Sequence, residues 1–327
     1  MTKLPLVSII TPSYNQAPFL EETIRTVLGQ GYPNLEYIVV DGGSTDHSVE
    51  IIQKYADRIA WWVSEPDKGQ AHAINKGLKR ARGEYVAWLN SDDLYLPNAV
   101  RHAAAALQQN PAASMVHGDG ILIDSEKRIL DWHRYHSLTT LDLMCWQVLL
   151  QPTVFMRRSV LEKTGYLNTD YHLILDHELW IRFALQGPII HVPEFWAAER
   201  THPEAKTIAS AADFVGEAQR LVSSFPEIPE YRNCYEGNRH RIDASLCIFS
   251  ARRLIDNRQY RIALGFFWRA LFIKPALVLK AWYKVIQAFL GVVGLESGFL
   301  WYRNTRRRLQ HQGKTLFWDG DLLRYTD

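Results

Sequence analysis

Short apolar runs alternate with helically spaced apolar positions through the first ninety residues of the chain. Leu6 to Ile10 reads as a buried strand closed by the turn Thr11-Pro12-Ser13-Tyr14-Asn15. From Phe19 to Gln30, Leu20, Ile24, Val27 and Leu28 share one face of a helix. Leu35 to Val40 is a second strand, followed by Asp41-Gly42-Gly43-Ser44-Thr45-Asp46. Val49 to Tyr55 is a short helix with Asp46 placed to cap it. Ile59 to Ser64 is a third strand, Ala71 to Ala81 a third helix, and Tyr85 to Leu89 a fourth strand. This β-α-β-α-β-α-β alternation with short connections predicts a parallel, doubly wound sheet. Its polar turns should gather at one edge, the carboxyl ends of the strands, where such sheets bind ligands.

The middle is less regular. A helix is expected over Pro97 to Gln109, a strand pair or bent strand over Ser114 to Ile123, and a helix over Leu138 to Leu149. A strand at Val154 to Met156, helices at Ser159 to Thr164 and Ile174 to Gln186, and a last strand at Ile189 to Val192 follow. Beyond about Ser210 the pattern is helical, with helices over Ala212 to Ser224, Ile242 to Leu254, Gln259 to Phe272 and Ala276 to Val293, and no strand signal. The expected boundaries are therefore 1–210 for an α/β domain and 211–327 for a helical, basic region.

Composition changes this picture in one place. A net charge of +2 over 327 residues excludes a general nucleic-acid binder. Yet Ala251 to Lys314 holds thirteen Lys/Arg against two acids, Asp256 and Glu296, a charge of +11 that leaves the rest of the chain at −9. Trp282, Val285, Ile286, Phe289 and Val293 share a helix face there, with Lys280 and Lys284 on another. Such a helix either lies in the surface of an anionic membrane or packs its apolar stripe onto the protein. No run of apolar residues is long enough to cross a bilayer. Three scattered cysteines make neither a disulfide framework nor a zinc site, and no signal peptide precedes Pro12, so a cytoplasmic protein is expected, peripheral on the cytoplasmic face of the membrane under the first of those two alternatives.

Candidate chemistry centres on Trp88-Leu89-Asn90-Ser91-Asp92-Asp93, where an apolar strand stops at two carboxylates. Carboxylates at a strand's carboxyl end suit a divalent cation bridging phosphate oxygens. The same residues also suit a polar loop capping the next helix.

The pieces Val7-Ser8-Ile9-Ile10-Thr11-Pro12-Ser13-Tyr14-Asn15, Tyr37-Ile38-Val39-Val40-Asp41-Gly42-Gly43-Ser44-Thr45-Asp46, Ser64-Glu65-Pro66-Asp67-Lys68-Gly69, Asn75-Lys76-Gly77 and Asn90-Ser91-Asp92-Asp93 together resemble a family 2 glycosyltransferase of the GT-A fold. A fainter match continues through Gln151-Pro152-Thr153, Asp176-His177-Glu178-Leu179-Trp180 and Arg200-Thr201-His202. The resemblance implies a GT-A-like, mostly parallel α/β sheet with helices on both faces, plus an all-helical C-terminal extension. It implies an inverting enzyme of polysaccharide biosynthesis that moves a sugar from a nucleoside-diphosphate donor, UDP- or dTDP-linked, to a glycan or lipid-linked acceptor. Pro12, Tyr14, Asn15, Asp41, Asp67, Lys76, Ser91 and Arg200 would meet the nucleotide side. Asp92 and His202 would hold Mn²⁺ or Mg²⁺, and Asp176 would be the base that deprotonates the acceptor. Asn90 stands where the family often has an acid, which removes a charge. Asp46 keeps its rival role as a cap, Asp176 keeps its rival role at a helix start, and Lys76 is alternatively a solvated surface charge. Glu178, about 200° round the helix from Asp176, cannot face the same site. His72 and Asp119 are further sugar-contact candidates, and Trp180 reads as core.

Two other functions compete. A nucleotidyltransferase would want a Gly-rich basic loop after the first strand, which Thr11 to Asn15 is not, and no G-x-G-x-x-G supports a dehydrogenase. A degenerate sugar-nucleotide binder or membrane scaffold is the non-enzymatic alternative, and Asn90 is the feature that favours it.

Overall fold

The computed structural model describes residues 4–201, 213–299, 301, 305–306, 313–320 and 322–326. In chain order the elements are β1 Val7–Ser13, α1 Ala17–Leu28, β2 Leu35–Asp41, α2 Ser48–Lys54, β3 Trp61–Ser64, α3 Gln70–Arg80, β4 Tyr85–Trp88, β5 Leu94–Tyr95 and α4 Ala99–Gln109. They continue with β6 Met115–Ile123, β7 Ile129–His133, α5 Thr140–Met144, β8 Val154–Arg157, α6 Arg158–Thr164, α7 Leu175–Ala184 and β9 Ile189–Arg200. The remainder is α8 Asp213–Ser224, α9 Pro229–Asp256, α10 Tyr260–Ile273, α11 Pro275–Lys280, α12 Trp282–Val292, β10 Leu316–Asp319 and β11 Leu322–Tyr325. The chain divides into two compact units. One takes the described residues of Met1–Leu138, Leu149–Thr201 and Gly313–Asp327, the other those of Thr139–Val148 and His202–Gln312.

The first unit is built on one sheet in the order β3-β2-β1-β4-β8-β6-β9-β5, with β7 paired to β6. The β3-β2-β1-β4 half is parallel. Every residue of β1 is buried, as are all but the first of β2, which is what strands covered by helices on both faces require. Leu20, Ile24 and Val27 of α1 and Ile52 of α2 close this core. On α3, a side chain at Gly77 would meet Ile10 Cγ2 at 2.5 Å, so only glycine lets α3 lie this close to β1. The other half is mixed, because β8 runs antiparallel to β4 and β6 while β9 is parallel to β6.

One open reading is settled in this half and one expectation corrected, and a third, in the Thr139–Val148 segment of the second unit, is corrected with them. Met115 to Ile123 is the bent strand rather than the pair, with a register irregularity between His117 and Gly120. β9 does not stop at Val192 but runs on to Arg200, because that irregularity falls where Pro193 has no N–H to give. The helix expected over Leu138 to Leu149 shrinks to Thr140–Met144. A capping box of Thr139 and Asp142 starts it, and Trp146, in the left-handed region at φ 60°, follows its end.

The second unit is helical, and its core is small-residue-rich: Ala251, Ala263, Ala270, Ala281 and Ala288 surround Leu254, Ile255 and Phe267. The helix expected from Ile242 starts at Pro229 instead, its first turns carrying little apolar pattern. Ala276 to Val293 is two helices, α11 and α12, rather than one.

The end of the chain corrects the helical expectation. β10 and β11 form an antiparallel hairpin that belongs to the first unit. Leu316 and Leu323 are buried with Leu94, Leu96, Ile121, Ile129 and Ala198, and Arg25 lies over the Trp318 ring at 3.9 Å. Gly320, directly after the Asp319–Leu322 pair, supplies at φ 60° the positive φ that a tight hairpin turn needs.

Candidate functional site

The register of the parallel strands sets the edge of the site. Ser13 pairs with Asp41 and Asp41 with Ser64, so the ends of β1, β2 and β3 lie in one row. Asp41 is fully buried and accepts from Gly43 N (3.1 Å), Ser44 N (2.8 Å), the Ser64 hydroxyl (2.7 Å) and the Ser44 hydroxyl. Three of these fall on Oδ2 and one on Oδ1, so the remaining acceptor capacity is on Oδ1. Asn15, in the left-handed region at φ 51°, accepts from Thr45 N at 2.8 Å, and its own N–H donates to Ser44 Oγ at 2.8 Å. Tyr14 beside it is exposed. A side chain at Gly42 would sit 2.7 Å from Asp67 Oδ2 and 3.4 Å from the Tyr14 ring, so Tyr14, Gly42 and Asp67 converge. Pro12 is buried in β1.

Asp46 holds the starts of two helices: Oδ2 accepts from Ala17 N and Oδ1 from Ser48 N, each at 2.9 Å. Burial opposes its ionisation, but the Ser48 and Ala17 hydrogen bonds outweigh that and lower its pKa. Its place is structural, as the cap reading has it. Lys76 forms an ion pair with Glu65 at the end of β3. His72 stands in the first turn of α3, its Nδ1 without a hydrogen-bond partner.

The turn after β4 divides its polar residues sharply. Asp92 is half-buried, whereas Asp93 is 2% exposed. Asp93 Oδ1 accepts from Arg200 N at 3.0 Å and Oδ2 from the Asn90 amide at 3.2 Å. Burial, with the charges of Asp92 and Glu199 adding to it, raises the Asp93 pKa well above the carboxylate range. Asn90 also donates to Gln151 Oε1 (3.2 Å) and accepts from Gln70 (2.8 Å). An aspartate at position 90 could make neither donation, and it would add a second carboxylate against a buried one. This is the physical reason for the departure noted in the sequence. The Thr23 hydroxyl reaches the carbonyls of Ser91 (2.9 Å) and Asp93 (2.8 Å) and fixes the turn to α1. Ser91 itself is buried.

Arg200 departs from the expectation of a diphosphate contact. Its side chain is 1% exposed, donating to Asp92 O (2.9 Å), Ser125 O (3.0 Å) and Glu22 (2.8 Å) and lying over the Phe19 ring. Glu22 also takes Lys127, and these cations hold its pKa low against its burial. Arg200 therefore clamps the Asp92-Asp93 turn from behind. His202 lies outside the described residues.

Asp176 is in the first turn of α7, half-buried, with Oδ1 accepting from His177 N at 2.7 Å. Glu178 is committed elsewhere. Its two oxygens hold Arg182 at 2.8 and 2.7 Å, and Arg182 in turn ties down the carbonyls of Thr164, Gly165 and Tyr166. Trp180 is core, as expected, stacked on Trp88 of β4. Trp180 follows Asp176 by four residues and so shares its helix face, which turns the Asp176 end of α7 toward the end of β4. Asn75 bonds both the N–H (3.0 Å) and the carbonyl (2.8 Å) of Leu167, holding the loop that leads to α7. Asp119 is not at this cluster: it is buried on β6, accepting from His191 and Tyr135 N.

Gln151, which the sequence marks only as part of a faint match and without a role, donates through Nε2 to Trp88 O (2.9 Å) while its Oε1 takes Asn90. Sequence reasoning missed Thr23 and Glu22, since they lie on α1, far from the motif they support. The only signal was a polar residue on an otherwise apolar helix face.

Among the described residues no three His, Cys, Asp or Glu side chains form a ready metal cage. The donor set fits a hard cation in one way. Asp92 can supply a carboxylate, and a diphosphate would complete the oxygen shell, the mode in which magnesium-like ions bind with substrate phosphates.

A sequence model described as Glycosyl transferase family 2 matches residues 8–165. An uncharacterized glycosyltransferase of Rickettsia typhi is 30% identical over 274 residues, 81% of this chain and 85% of that one. TuaG of Bacillus subtilis, a glycosyltransferase named for teichuronic acid biosynthesis, is 49% identical over 92 residues, 27% of this chain and 36% of its own. Among solved structures, S. aureus TarS 1-349 in complex with UDP-GlcNAc superposes with a TM-score of 0.60 at 16% identity, covering 98% of this chain and 96% of that one. The mannosyltransferase PcManGT from Pyrobaculum calidifontis, in complex with GDP-Man and Mn²⁺, gives 0.59 at 20% identity, covering 95% and 89%.

Proposed function

The chain belongs to glycosyl transferase family 2 and is a glycosyltransferase, and from that premise we propose that it moves a sugar from a UDP- or dTDP-linked donor to a glycan or lipid-linked acceptor, with inversion at the anomeric carbon. The observation that carries this reading is the convergence of Tyr14, Asp41 and Asp67 on one sheet edge, with Asp92 ending β4 in the same sheet and α7 packed over β4. The relatives and neighbours support it, being glycosyltransferases, some bound to nucleotide sugars.

In this reading the exposed Tyr14 ring covers one face of the base. Asp41 is held rigidly by Ser44 and Ser64 and turns Oδ1 to an imide N–H, while Asn15 and Asp67 shape the ribose side. Asp92 would hold Mn²⁺ or Mg²⁺ together with the donor, and the ion, when bound, would supply positive charge against the departing diphosphate. Asp176 accepts the proton of the acceptor hydroxyl as its oxygen attacks the anomeric carbon from the face opposite the diphosphate. One displacement therefore inverts the centre. Asn90, the feature that favoured a degenerate binder, has structural work at Asp93 and Gln151 that accounts for it without loss of activity.

The test is thermal unfolding with UDP, dTDP and GDP, each with and without Mn²⁺. A ligand at a hundred times its Kd stabilises by about 2.7 kcal/mol. A uracil or thymine diphosphate should stabilise most, and more with metal. Equal midpoints with every nucleotide would overturn the donor assignment.

A further inference from the structure

Helix α12 wears its apolar side outward. Trp282, Tyr283, Ile286, Phe289 and Val293 recur at one-turn spacing, and all are exposed, Trp282 by 61% and Phe289 by 58%. The side turned inward is narrower and smaller, with Ala288 and Gln287 buried and Val285 and Val292 half-buried against the core. A helix packed for water does the reverse. The same inversion continues on its neighbours: Leu279 at the end of α11 is exposed, as are Ile262, Trp268 and Phe272 on α10, the last two edge to face at 5.0 Å.

From Tyr260 to Val293 these helices carry cations and no acid. Arg261, Arg269 and Lys280 are exposed beside them. The only acids between Ala251 and Lys314 are Asp256 and Glu296, and Glu296 faces Arg258 at 3.9 Å. A second copy is a poor occupant, because a two-fold interface would bring this cationic face against itself. No helix of the described residues is long and apolar enough to cross a membrane. Exposed tryptophans and phenylalanines among cations, without acids, match the boundary between anionic headgroups and acyl chains.

We propose that the outward face of α10, α11 and α12 is a docking surface for an anionic lipid bilayer, with Trp268, Trp282 and Phe289 inserted at the acyl boundary and Arg261, Arg269 and Lys280 against the headgroups. The proposal concerns the helical unit and does not depend on the transfer reaction.

The experiment is co-sedimentation of the full chain with vesicles of phosphatidylglycerol mixed with phosphatidylcholine, and with vesicles of phosphatidylcholine alone. The chain should pellet with the mixed vesicles and stay in solution with the neutral ones. Arg269→Gln with Lys280→Gln should weaken the binding by about 30-fold. Trp282→Ser with Phe289→Ser should abolish it, with the unfolding midpoint of both double variants unchanged because all four positions are exposed. Sedimentation velocity without lipid gives the competing outcome. A dimer that Trp282→Ser with Phe289→Ser dissociates, together with no pelleting on anionic vesicles, would overturn the proposal in favour of self-association. So would equal pelleting on neutral vesicles.

Discussion

Trp88 of β4 and Trp180 of α7 stack with ring centroids 5.2 Å apart and planes 22° from parallel. Trp88 lies two residues before Asn90, and Trp180 one turn after Asp176. This contact therefore ties the strand end that presents Asp92 to the helix start that presents Asp176.

Replacing Trp180 tests that tie. Trp180→Ala should cost about 3–5 kcal/mol, the range for emptying a buried aromatic site, and should lower kcat more than donor affinity. Trp180→Phe should recover most of both, because the Trp180 indole N–H has no hydrogen-bond partner to lose. Chemical denaturation and initial rates on the two variants measure this. If Phe and Ala cost the same, stacking is not what positions α7.

Asn90→Asp would seem to improve a metal site, yet it should destabilise the protein at neutral pH. It removes the donor to Asp93 Oδ2 and places a carboxylate beside a buried one. The pKa of Asp93 is already raised, so its protonated form is the one the fold favours. Its contribution is present at acid pH and is lost as pH rises through the folded pKa. The penalty of Asn90→Asp, about 1–3 kcal/mol for an unmatched buried polar pair, should therefore grow from pH 4 to pH 8. A penalty that does not change with pH would show that the two side chains are not in contact.

His117 gives a second, opposite pH dependence. Burial, assisted by the neighbouring His191, lowers its pKa to about 4 from 6.5. Between those values the unfolded chain binds a proton that the folded one does not. Stability is thus fully present above pH 6.5 and is lost as pH falls toward 4, by about 3 kcal/mol. His117→Leu should flatten that acid limb. An unchanged acid limb would mean that another group sets it.

The half of the fold that was legible in sequence is the half where pattern and environment agree. β1 to β4 are apolar runs because helices cover both their faces, and their ends are polar because the sheet edge is open. The apolar pattern of β9 ends at Val192, before Pro193, and only the register irregularity opposite it, invisible in sequence, lets the ladder continue. The hairpin Leu316–Tyr325 sits among long-range contacts with β5, β6 and β9 that no local window reports. At the site, the resemblance already sets Asp92 apart from Asp93 as the ligand, but the physical reason, the burial of Asp93 and its bond from the Arg200 N–H, has no local signal.

Arg200 should behave as a positioning residue rather than a ligand. Arg200→Lys keeps the charge but cannot reach Asp92 O, Ser125 O and Glu22 together. It should lower stability by about 3 kcal/mol, the scale for breaking a buried pair, and weaken metal-dependent donor binding through the displaced Asp92 turn. Metal-free nucleotide binding should change little. A variant with full stability and a loss confined to diphosphate affinity would instead make the guanidinium a direct contact.

Asp176→Asn separates proton transfer from the hydrogen bond that Asp176 accepts from His177 N. Asparagine is isosteric and, like aspartate, serves well at a helix start, so the acceptor for His177 N survives and the unfolding midpoint should not move. The proposed donor contacts lie at the ends of β1 to β4, so donor binding should not move either. What the amide cannot do is take a proton from the acceptor hydroxyl. General-base catalysis contributes about 10²–10⁴-fold, so kcat should fall by that factor with donor affinity intact, and the loss should not be relieved by raising donor concentration. Glu178→Gln is the control. It breaks the Arg182 pair that holds Thr164 to Tyr166, so it should lower stability first and activity only in proportion. Full transfer by Asp176→Asn, or an activity loss in Glu178→Gln without a stability loss, would move the base from one carboxylate to the other.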